Sequence, residues 1–384
     1  MNENKPLPKG WEVKNLGEVC EVEYGTRVVR KRDGGTIFPV YGGGGATFFM
    51  DTFNREDCLV VARFAMSEKC TRFVKGKLFL NDSGLSVKTK NDKEINQEFL
   101  NLQFLHLNDY IYSLARGAAQ KNLNVPIFRK LEIHYPRSLK AQKRIVAILD
   151  KTFAEITKAE AIAKTNLQNA KELFESYLNN VFENKGDDWE EKTLEQISDV
   201  FGRGKSKHRP RNDKKLYDGN YPFIQTGDIR NCDHYISKYS QTYNELGLSQ
   251  SKLWPKGTIC ITIAANIAET GVLSFDACFP DSVIGVVVNK KVADLDFVEY
   301  LLQFFKVNIQ ALGKGSAQSN INMGTFQGKT FPFPKSLKVQ KQIVNKLDHL
   351  QVQTKKLKAN YSKQLKSLEE LKKSILQKAF NGEL

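Results

Sequence analysis

An internal repeat constrains the fold of this chain more than any other feature. Residues 136–150 read PRSLKAQKRIVAILD, and residues 334–348 read PKSLKVQKQIVNKLD, 198 positions later. The same spacing relates GAAQKNLN at 117–124 to GSAQSNIN at 315–322. Trp11 and Leu16 match Trp189 and Leu194 at a shorter spacing of 178, so the second half carries extra residues between matched ends. A repeat of this length predicts two units of one design, and the differing middles favour a shared scaffold with two different reading regions.

Each repeated opening leads into a long stretch in which apolar residues recur at steps of three, four or seven. Neither stretch contains Pro or Gly before its end. Sustained spacing of this kind predicts a coiled-coil seam, and the nearest partner for each helix is the other copy. The alternative is that each seam packs on its own globular segment. Antiparallel pairing is favoured, because it sends the globular segments to opposite ends. The predicted seam residues are Leu149, Phe153, Ile156, Leu167, Phe174, Ile343, Leu347, Leu350, Leu357, Tyr361, Leu368, Leu371 and Ile375.

The predicted fold class is therefore α+β, with two β-rich domains joined by two long α-helices that form an antiparallel coiled coil with pseudo-two-fold symmetry. The domain boundaries that follow are 1–137 and 186–335 for the globular domains, and 138–185 and 336–384 for the helices. In the first domain, residues 96–114 have the one strong helical pattern, with Phe99, Leu102, Leu105 and Tyr110 on its expected buried face.

The chain has 58 Lys and Arg against 43 Asp and Glu, and this net charge of +15 favours a polyanionic partner such as nucleic acid. A solvated basic surface, or neutralisation by an acidic partner, would produce the same excess. The six cysteines include no Cys-x-x-Cys pair, so a zinc or redox site is not expected. No apolar run reaches 18 residues, and the polar first residues lack a signal-peptide core. We therefore expect a cytoplasmic protein with no membrane partner.

Signatures of catalysis are missing. There is no Gly-x-Gly-x-x-Gly motif, no P-loop, and no Asn-Pro-Pro or Asp-Pro-Pro followed by an aromatic residue as in amino-methyltransferases. Pro280-Asp281 resembles the start of a restriction-nuclease core, but Asn289 stands where that core needs an acid. The glycine run at 42–45 is not followed by Lys-Ser or Lys-Thr, so a flexible turn is favoured over a phosphate cradle. We therefore predict neither catalytic residues nor a metal site in this chain.

What remains is binding chemistry, and it occurs at the same place in both halves. A basic loop follows the first strands of each domain, and its Arg and Lys side chains suit phosphate neutralisation or, for Arg, bidentate reading of guanine. A solvated face is the alternative for either loop. The Gln and Asn residues where each domain returns to its helix contact DNA, or instead close the turn by bonding backbone groups. The candidate nucleic-acid-binding residues are Arg27, Arg30, Lys31, Arg32, Arg203, Lys205, Lys207, Arg209 and Arg211 in the loops, Gln225, Thr226 and Arg230 as weaker base readers, and Gln120, Asn122, Gln318 and Asn320 in the return turns.

On these residues the chain resembles the specificity (S) subunit of type I restriction-modification systems. The resemblance rests on the paired openings at Trp11 and Trp189, on Gly117-x-x-Gln120 with Gly315-x-x-Gln318, on the shared helix opening Pro-x-Ser-Leu-x-x-Gln, and on the final AFNGEL. It covers nearly the whole chain. In one departure, Ala141 and Val339 stand where the family often has an acid, so Ser138 and Ser336 are the candidate helix caps.

The resemblance implies two target-recognition domains, each reading one half of a split site in double-stranded DNA, and helices that set the half-site spacing. It implies docking of two modification (M) subunits, which bind S-adenosylmethionine and methylate adenine, and the joining of two restriction (R) subunits that use ATP and Mg²⁺. The S subunit itself is non-catalytic and binds no cofactor. Three alternatives stay open: the recognition subunit of a related bipartite restriction enzyme of another type, a stand-alone DNA-modifying enzyme with a cryptic site, and a structural coiled-coil adaptor.

Overall fold

The computed structural model describes residues 8–264, 266–313 and 321–384. The chain forms two compact units, the first from Met1–Thr165 with Tyr361–Leu384 and the second from Asn166–Asn360. Each unit has its own main hydrophobic core of buried strand and helix residues. Each unit combines β-sheets with segments of both long helices, so the predicted α+β class is confirmed.

Unit 1 is built on a six-stranded sheet with the order β2-β7-β5-β6-β3-β4, and β1 pairs separately with β10. That second pairing is antiparallel and joins Trp11 to Pro136, so the domain closes just before its long helix begins. The strands are β1 Trp11–Asn15, β2 Cys20–Tyr24, β3 Phe38–Gly42, β4 Gly45–Met50, β5 Arg55–Ala62, β6 Thr71–Leu80, β7 Gly84–Thr89, β8 Ala115–Arg116, β9 Asn122–Leu123 and β10 Glu132–Pro136. The helices are α1 Leu16–Val19, α2 Arg30–Asp33, α3 Gln97–His106, α4 Asn108–Ser113, α5 Val125–Phe128 and α6 Leu139–Glu183.

Unit 2 repeats this closure, because β11 pairs with β21 and joins Trp189 to Pro334. Its strands form a five-stranded sheet, β12-β20-β17-β18-β14, and a four-stranded sheet, β15-β13-β19-β16. The strands are β11 Trp189–Lys192, β12 Ser198–Arg203, β13 Tyr217–Phe223, β14 Tyr235–Ile236, β15 Gln241–Tyr243, β16 Leu253–Trp254, β17 Thr258–Thr262, β18 Thr270–Leu273, β19 Ala277–Cys278, β20 Val283–Val288 and β21 Phe331–Pro334. The helices are α7 Thr226–Arg230, α8 Glu245–Ser249, α9 Leu295–Gly313, α10 Met323–Phe326 and α11 Leu337–Phe380, with a 3₁₀ turn at Lys214–Leu216.

The long helices α6 and α11 contain 45 and 44 residues, so each is roughly 65 Å long at 1.5 Å per residue. In unit 1, Ile145 and Leu149 near the start of α6 share a core with Leu376 near the end of α11. In unit 2, Leu178 near the end of α6 shares a core with Leu347 near the start of α11. Both pairings are antiparallel, as predicted.

Two of the predicted seam residues are not buried. Leu357 and Leu371 are 36% and 44% exposed, whereas the other predicted seam residues are buried or half-buried. The less exposed residues near Leu371 are Leu368, Lys372 and Ile375. Leu371 lies at one edge of the face they form, about 40° from Ile375 and about 100° from Lys372 around the helix. Lys372 occupies the seam through an ion pair with Glu160 on α6, at 2.8 Å. The apolar pattern alone did not reveal this, because a lysine stem replaces a leucine there.

The single helix predicted over residues 96–114 is instead two helices, α3 and α4, which meet at Leu107. The side chain of Asn108 accepts hydrogen bonds from the backbone N–H groups of Cys70 and Thr71, which ties the start of α4 to strand β6. As a consequence, Leu105 and Tyr110 are 39% and 42% exposed and do not lie on a common buried face.

Candidate nucleic-acid interface

The first basic loop lies between β2 and β3 and includes the short helix α2. Asp33 holds this loop together: its carboxylate pairs with Arg32 at 2.9 Å and accepts the backbone N–H of Val29 at 2.8 Å. These contacts, first the one with Arg32, hold the pKa of Asp33 below its usual value. The side chains of Arg27, Arg30 and Lys31 are exposed and have no ion-pair partner in the described part of the chain. Their charges are therefore available to a ligand such as a phosphate backbone.

The second basic loop follows β12 and is fixed against the turn around Asp281. Arg203 donates from Nε at 2.8 Å to the Asp281 carbonyl oxygen, and Arg211 pairs with the Asp281 carboxylate at 2.7 Å. Arg209 donates to the carbonyl oxygen of Ser206 at 2.6 Å. A Cβ on Gly204 would lie 2.3 Å from the carbonyl oxygen of Phe279, so the loop begins with a backbone approach that only glycine permits. Asp281 thus fixes Arg203 through its carbonyl oxygen and Arg211 through its carboxylate, and one carboxylate leaves a loop of five basic residues positively charged.

Lys205 and Lys207 complete this loop, and both are exposed. Their backbone is held in place, because the Lys207 N–H donates to the side chain of Gln250 at 2.7 Å and the Ser251 hydroxyl donates to the Lys205 carbonyl oxygen at 2.9 Å. Neither ammonium group has an ion-pair partner within the described ranges. A fixed backbone with two uncommitted ammonium groups suits contacts with phosphates.

The weaker candidates in unit 2 lie at helix α7. The Gln225 side chain donates to that of Gln241, and the Gln225 N–H donates to the Asp228 carboxylate at 2.8 Å, which fixes the start of the helix. Arg230 at the end of α7 is exposed and lies 3.4 Å from the Asn266 side-chain oxygen. Thr226 is half-buried between them. Only Arg230 in this group offers a charge to a ligand.

In the return turn of unit 1, the two amides differ. Gln120 is exposed, whereas Asn122 is half-buried and its side-chain oxygen accepts the backbone N–H of Ala65 at 3.2 Å. Asn122 therefore closes the turn, as one of the two sequence readings allowed, while Gln120 remains open to a ligand. Gln318 and Asn320, the corresponding residues of the second half, lie outside the described residues.

A buried glutamine fastens each long helix to its domain. Gln142 is fully buried; its side chain accepts the N–H of Asn96 at 2.8 Å and donates to the carbonyl oxygen of Pro136 at 2.8 Å. Gln340 makes the equivalent contacts with Asp294 at 2.8 Å and Pro334 at 2.9 Å. Each residue in the second set lies 198 positions after its counterpart. The repeated Pro-x-Ser-Leu-x-x-Gln motif therefore serves to orient the helices relative to their domains.

A charged network is buried in unit 2 and has no counterpart in the repeat pattern. His234 lies 2.9 Å from both Asp296 and Glu299, which are on α9. Burial alone lowers the pKa of His234, but the two carboxylates more than offset this and raise it to about 10. The imidazole ring also packs on Tyr300, whose hydroxyl donates to Asp348 on α11 at 2.6 Å. The network thus links the strand side of the domain to the long helix through a protonated histidine.

In residues 8–264, 266–313 and 321–384, no three His, Cys, Asp or Glu side chains are grouped as metal ligands. No helix in these same ranges is long and apolar enough to cross a membrane.

Arg63 is a further surface residue that sequence reasoning missed. It follows β5, and its guanidinium lies over the rings of Tyr24 and Phe64, at 4.7 Å and 4.1 Å from their centroids. Tyr24 and Phe64 are separated by 40 positions in sequence, so no local motif reveals this arrangement.

Comparison with known proteins gives consistent matches over this architecture. The family described as the type I restriction modification DNA specificity domain matches residues 8–166 and 186–367. A protein of Methanocaldococcus jannaschii, named as a type I restriction enzyme MjaX specificity subunit, is 24% identical over 330 residues, covering 81% of this chain and 73% of that protein.

Two solved structures share the fold. One chain, from a study of complex assembly and conformational transition of the type I R-M system, covers 99% of this chain and 100% of its own length with a TM-score of 0.78 and 19% identity. The HsdS subunit from Thermoanaerobacter tengcongensis covers 100% of this chain and 99% of its own length with a TM-score of 0.60 and 19% identity.

Proposed function

We propose, from the premise that this chain belongs to the family of type I restriction modification DNA specificity domains, that it is a non-catalytic DNA-specificity subunit whose two domains each read one half of a split site. Residues 1–137 and 186–335 are the two target-recognition domains in this proposal. Residues 138–185 and 336–384 are the helical spacers that set the distance between the half-sites.

One observation carries the proposal: exposed basic loops occur at the same place in both halves of the repeat. Arg27, Arg30 and Lys31 in unit 1, and Lys205 and Lys207 in unit 2, are exposed on loops whose backbones are pinned by neighbouring residues. A solvated basic surface would not require such pinning. Two preformed positive sites on two similar domains suit a duplex that is contacted twice.

The partners follow from the same premise. We infer that two modification subunits dock on the helices and two restriction subunits join them, and that S-adenosylmethionine, ATP and Mg²⁺ are bound by those partners.

The proposal is tested by expressing the chain with a modification subunit of the same host and mapping N6-methyladenine by single-molecule sequencing. We expect a split, asymmetric motif methylated on both strands, which disappears when this chain is omitted. A stable complex that produces no split motif would contradict the proposal. Methyl transfer to DNA by the purified chain alone would contradict its non-catalytic part.

The loop assignment has its own test in the salt dependence of binding to duplex DNA. Replacing Lys205 and Lys207 by alanine should lower the slope of log K against log salt by up to about 1.8, since each phosphate contact contributes roughly 0.9. The matched control replaces Lys290 and Lys291, two exposed lysines beyond the opposite end of β12, where Asn289 contacts Ile197. Equal slopes for both double variants would exclude the loop from the interface.

A further inference from the structure

We propose that Arg63 reads a guanine in the half-site contacted by the first domain, and that Tyr24 and Phe64 hold its guanidinium in a reading position. This inference rests on the proposed function and names one specificity-determining residue within it. It is carried by the position of Arg63 at a strand end, by the two rings, and by a comparison with unit 2.

The backbone of Arg63 is fixed on both sides. Its N–H donates to the carbonyl oxygen of Ser83 at 2.8 Å, and its carbonyl oxygen accepts the N–H of Leu123 at 2.8 Å. The residue therefore cannot shift along the edge of the sheet without breaking two hydrogen bonds. Its side chain projects from a rigid point, which is what base reading requires and what phosphate neutralisation does not.

The guanidinium lies close to two aromatic rings, those of Tyr24 and Phe64. Tyr24 and Phe64 are 48% and 38% exposed, so the pair of rings lies at the surface of the domain. A guanidinium meets an aromatic ring through its face, so its N–H groups, which lie on its edge, stay available to other partners. Arg has five such donors, and within the described residues one of them bonds the carbonyl oxygen of Asp82, at 3.2 Å. The planar fork that remains matches the O6 and N7 acceptors of guanine in the major groove.

The segments that the sequence singled out surround this residue. The first basic loop begins beside it, since the Gly25 N–H donates to the Gly84 carbonyl oxygen at 3.1 Å. The glycine run also approaches closely, because a Cβ on Gly43 would lie 2.3 Å from the Phe64 carbonyl oxygen. The return turn joins through the Asn122 contact with Ala65. Three segments that the sequence singled out therefore meet around Arg63, and a ligand bound by the first basic loop would lie close to this arginine.

Unit 2 offers an internal comparison. Ile263 follows β17 as Arg63 follows β5; its N–H donates to Ser282 at 3.0 Å, and its carbonyl oxygen accepts the N–H of Ile321 at 3.2 Å. The backbone frame is thus the same, but Ile263 is only 3% exposed. The same backbone hydrogen bonds form with a buried isoleucine in unit 2 and with an arginine beside two rings in unit 1. The fold therefore does not require an arginine at this position, which leaves its side chain free to read a base.

The test uses the full-length chain and a pool of duplex DNA with a randomised central region, sequenced before and after selection for binding. Wild-type protein should enrich a split motif, and the absence of any sequence preference would contradict the proposed function itself. Given that motif, Arg63→Lys keeps the charge but loses the planar fork. We expect preference for one guanine in one half-site to fall by about 10-fold or more, while the other half-site is unchanged.

The opposite result would overturn the proposal. If Arg63→Lys retains every base preference, Arg63 is a phosphate contact or a structural residue. A second variant, Tyr24→Leu with Phe64→Leu, leaves Arg63 intact and should weaken the preference for the same guanine. If Arg63→Lys fails to fold, this double variant alone decides the question. An unchanged preference in the double variant would refute the role of the two rings in holding Arg63. Arg137→Lys is the matched control, because Arg137 is exposed, pairs with Glu12 and lies between β10 and α6.

Discussion

Phe380 should stabilise unit 1 and Phe182 should stabilise unit 2, although each residue ends a helix that begins in the opposite half of the repeat. Phe380, at the end of α11, is 6% exposed and packs against Phe99 with ring centroids 5.3 Å apart. Phe182 on α6 is 3% exposed and packs against Phe297 at 5.5 Å. Phe99 and Phe297 are also 198 positions apart, so the same aromatic pair is built twice from different helices.

The expected cost of truncation follows from this burial. Removing a buried Phe side chain costs about 3–5 kcal/mol. Phe380 is the last residue of α11, so the final turn can undock locally, and we expect the lower end of that range. About 3 kcal/mol corresponds to an increase of roughly 100-fold in the population of the opened state.

Hydrogen exchange resolved by segment is the assay, because it separates the two units. Phe380→Ala should accelerate exchange of the buried amides in β5 and β7 and leave those in β17 and β20 unchanged, while Phe182→Ala should do the reverse. Leu371→Ala on α11 is the control, since its side chain is 44% exposed and should contribute within about 0.5 kcal/mol. Loss of protection in the opposite unit, or in both units equally, would refute the assignment of each helix end to its unit.

Three other outcomes are expected. The pKa of His234 is raised to about 10 from its ordinary 6.5, so the stability that its protonation contributes is complete below pH 6.5 and is lost as pH rises to 10. The free energy of unfolding of unit 2, measured in urea, should therefore fall by at most about 5 kcal/mol between these two pH values. His234→Gln should remove most of this pH dependence. Gln340→Leu should cost about 2–5 kcal/mol in the same assay, because it leaves two buried backbone groups unpaired; a loss below 1 kcal/mol would show that water replaces the amide. Inserting seven residues after positions 165 and 360 lengthens each helix by about 10 Å, so the DNA spacer should grow by roughly 3 base pairs. An unchanged spacer in the methylation motif would contradict the proposal that the helices set the half-site spacing.

The main architecture could be predicted from the sequence because the internal repeat shows the same pattern twice. The long helices, their antiparallel pairing and the two β-rich domains all follow from apolar spacing and the matched ends. The role of the repeated glutamines could not be predicted in the same way. Gln142 and Gln340 are recognisable as a motif, but one backbone partner of each lies 46 positions earlier and becomes visible only in the structure.

The surface was harder to predict, because charge patterns do not show which charges are already paired. Arg203 and Arg211 read as free basic residues, yet both are engaged by Asp281, which is 78 and 70 positions away. Arg63 showed no pattern at all, since its stacking partners come from two different segments. The prediction that Leu371 lies in the seam was wrong for a related reason, because an ion pair between Lys372 and Glu160 takes the place of an apolar contact there. Long-range polar pairing is the information that spacing alone omits.

Positions whose contacts recur in both halves of the repeat are separate from positions whose side chains differ between the halves. Two sets of contacts that recur at a spacing of 198, the buried glutamines and the Phe99–Phe380 and Phe297–Phe182 pairs, join a domain to a long helix. The positions that differ between halves, such as Arg63 and Ile263, lie at strand ends with the same backbone hydrogen bonds. A substitution at a strand end therefore leaves the helix junctions intact, since those junctions use other residues. The fold can therefore stay constant while the surface at the strand ends changes, which allows one scaffold to carry two domains with different surfaces.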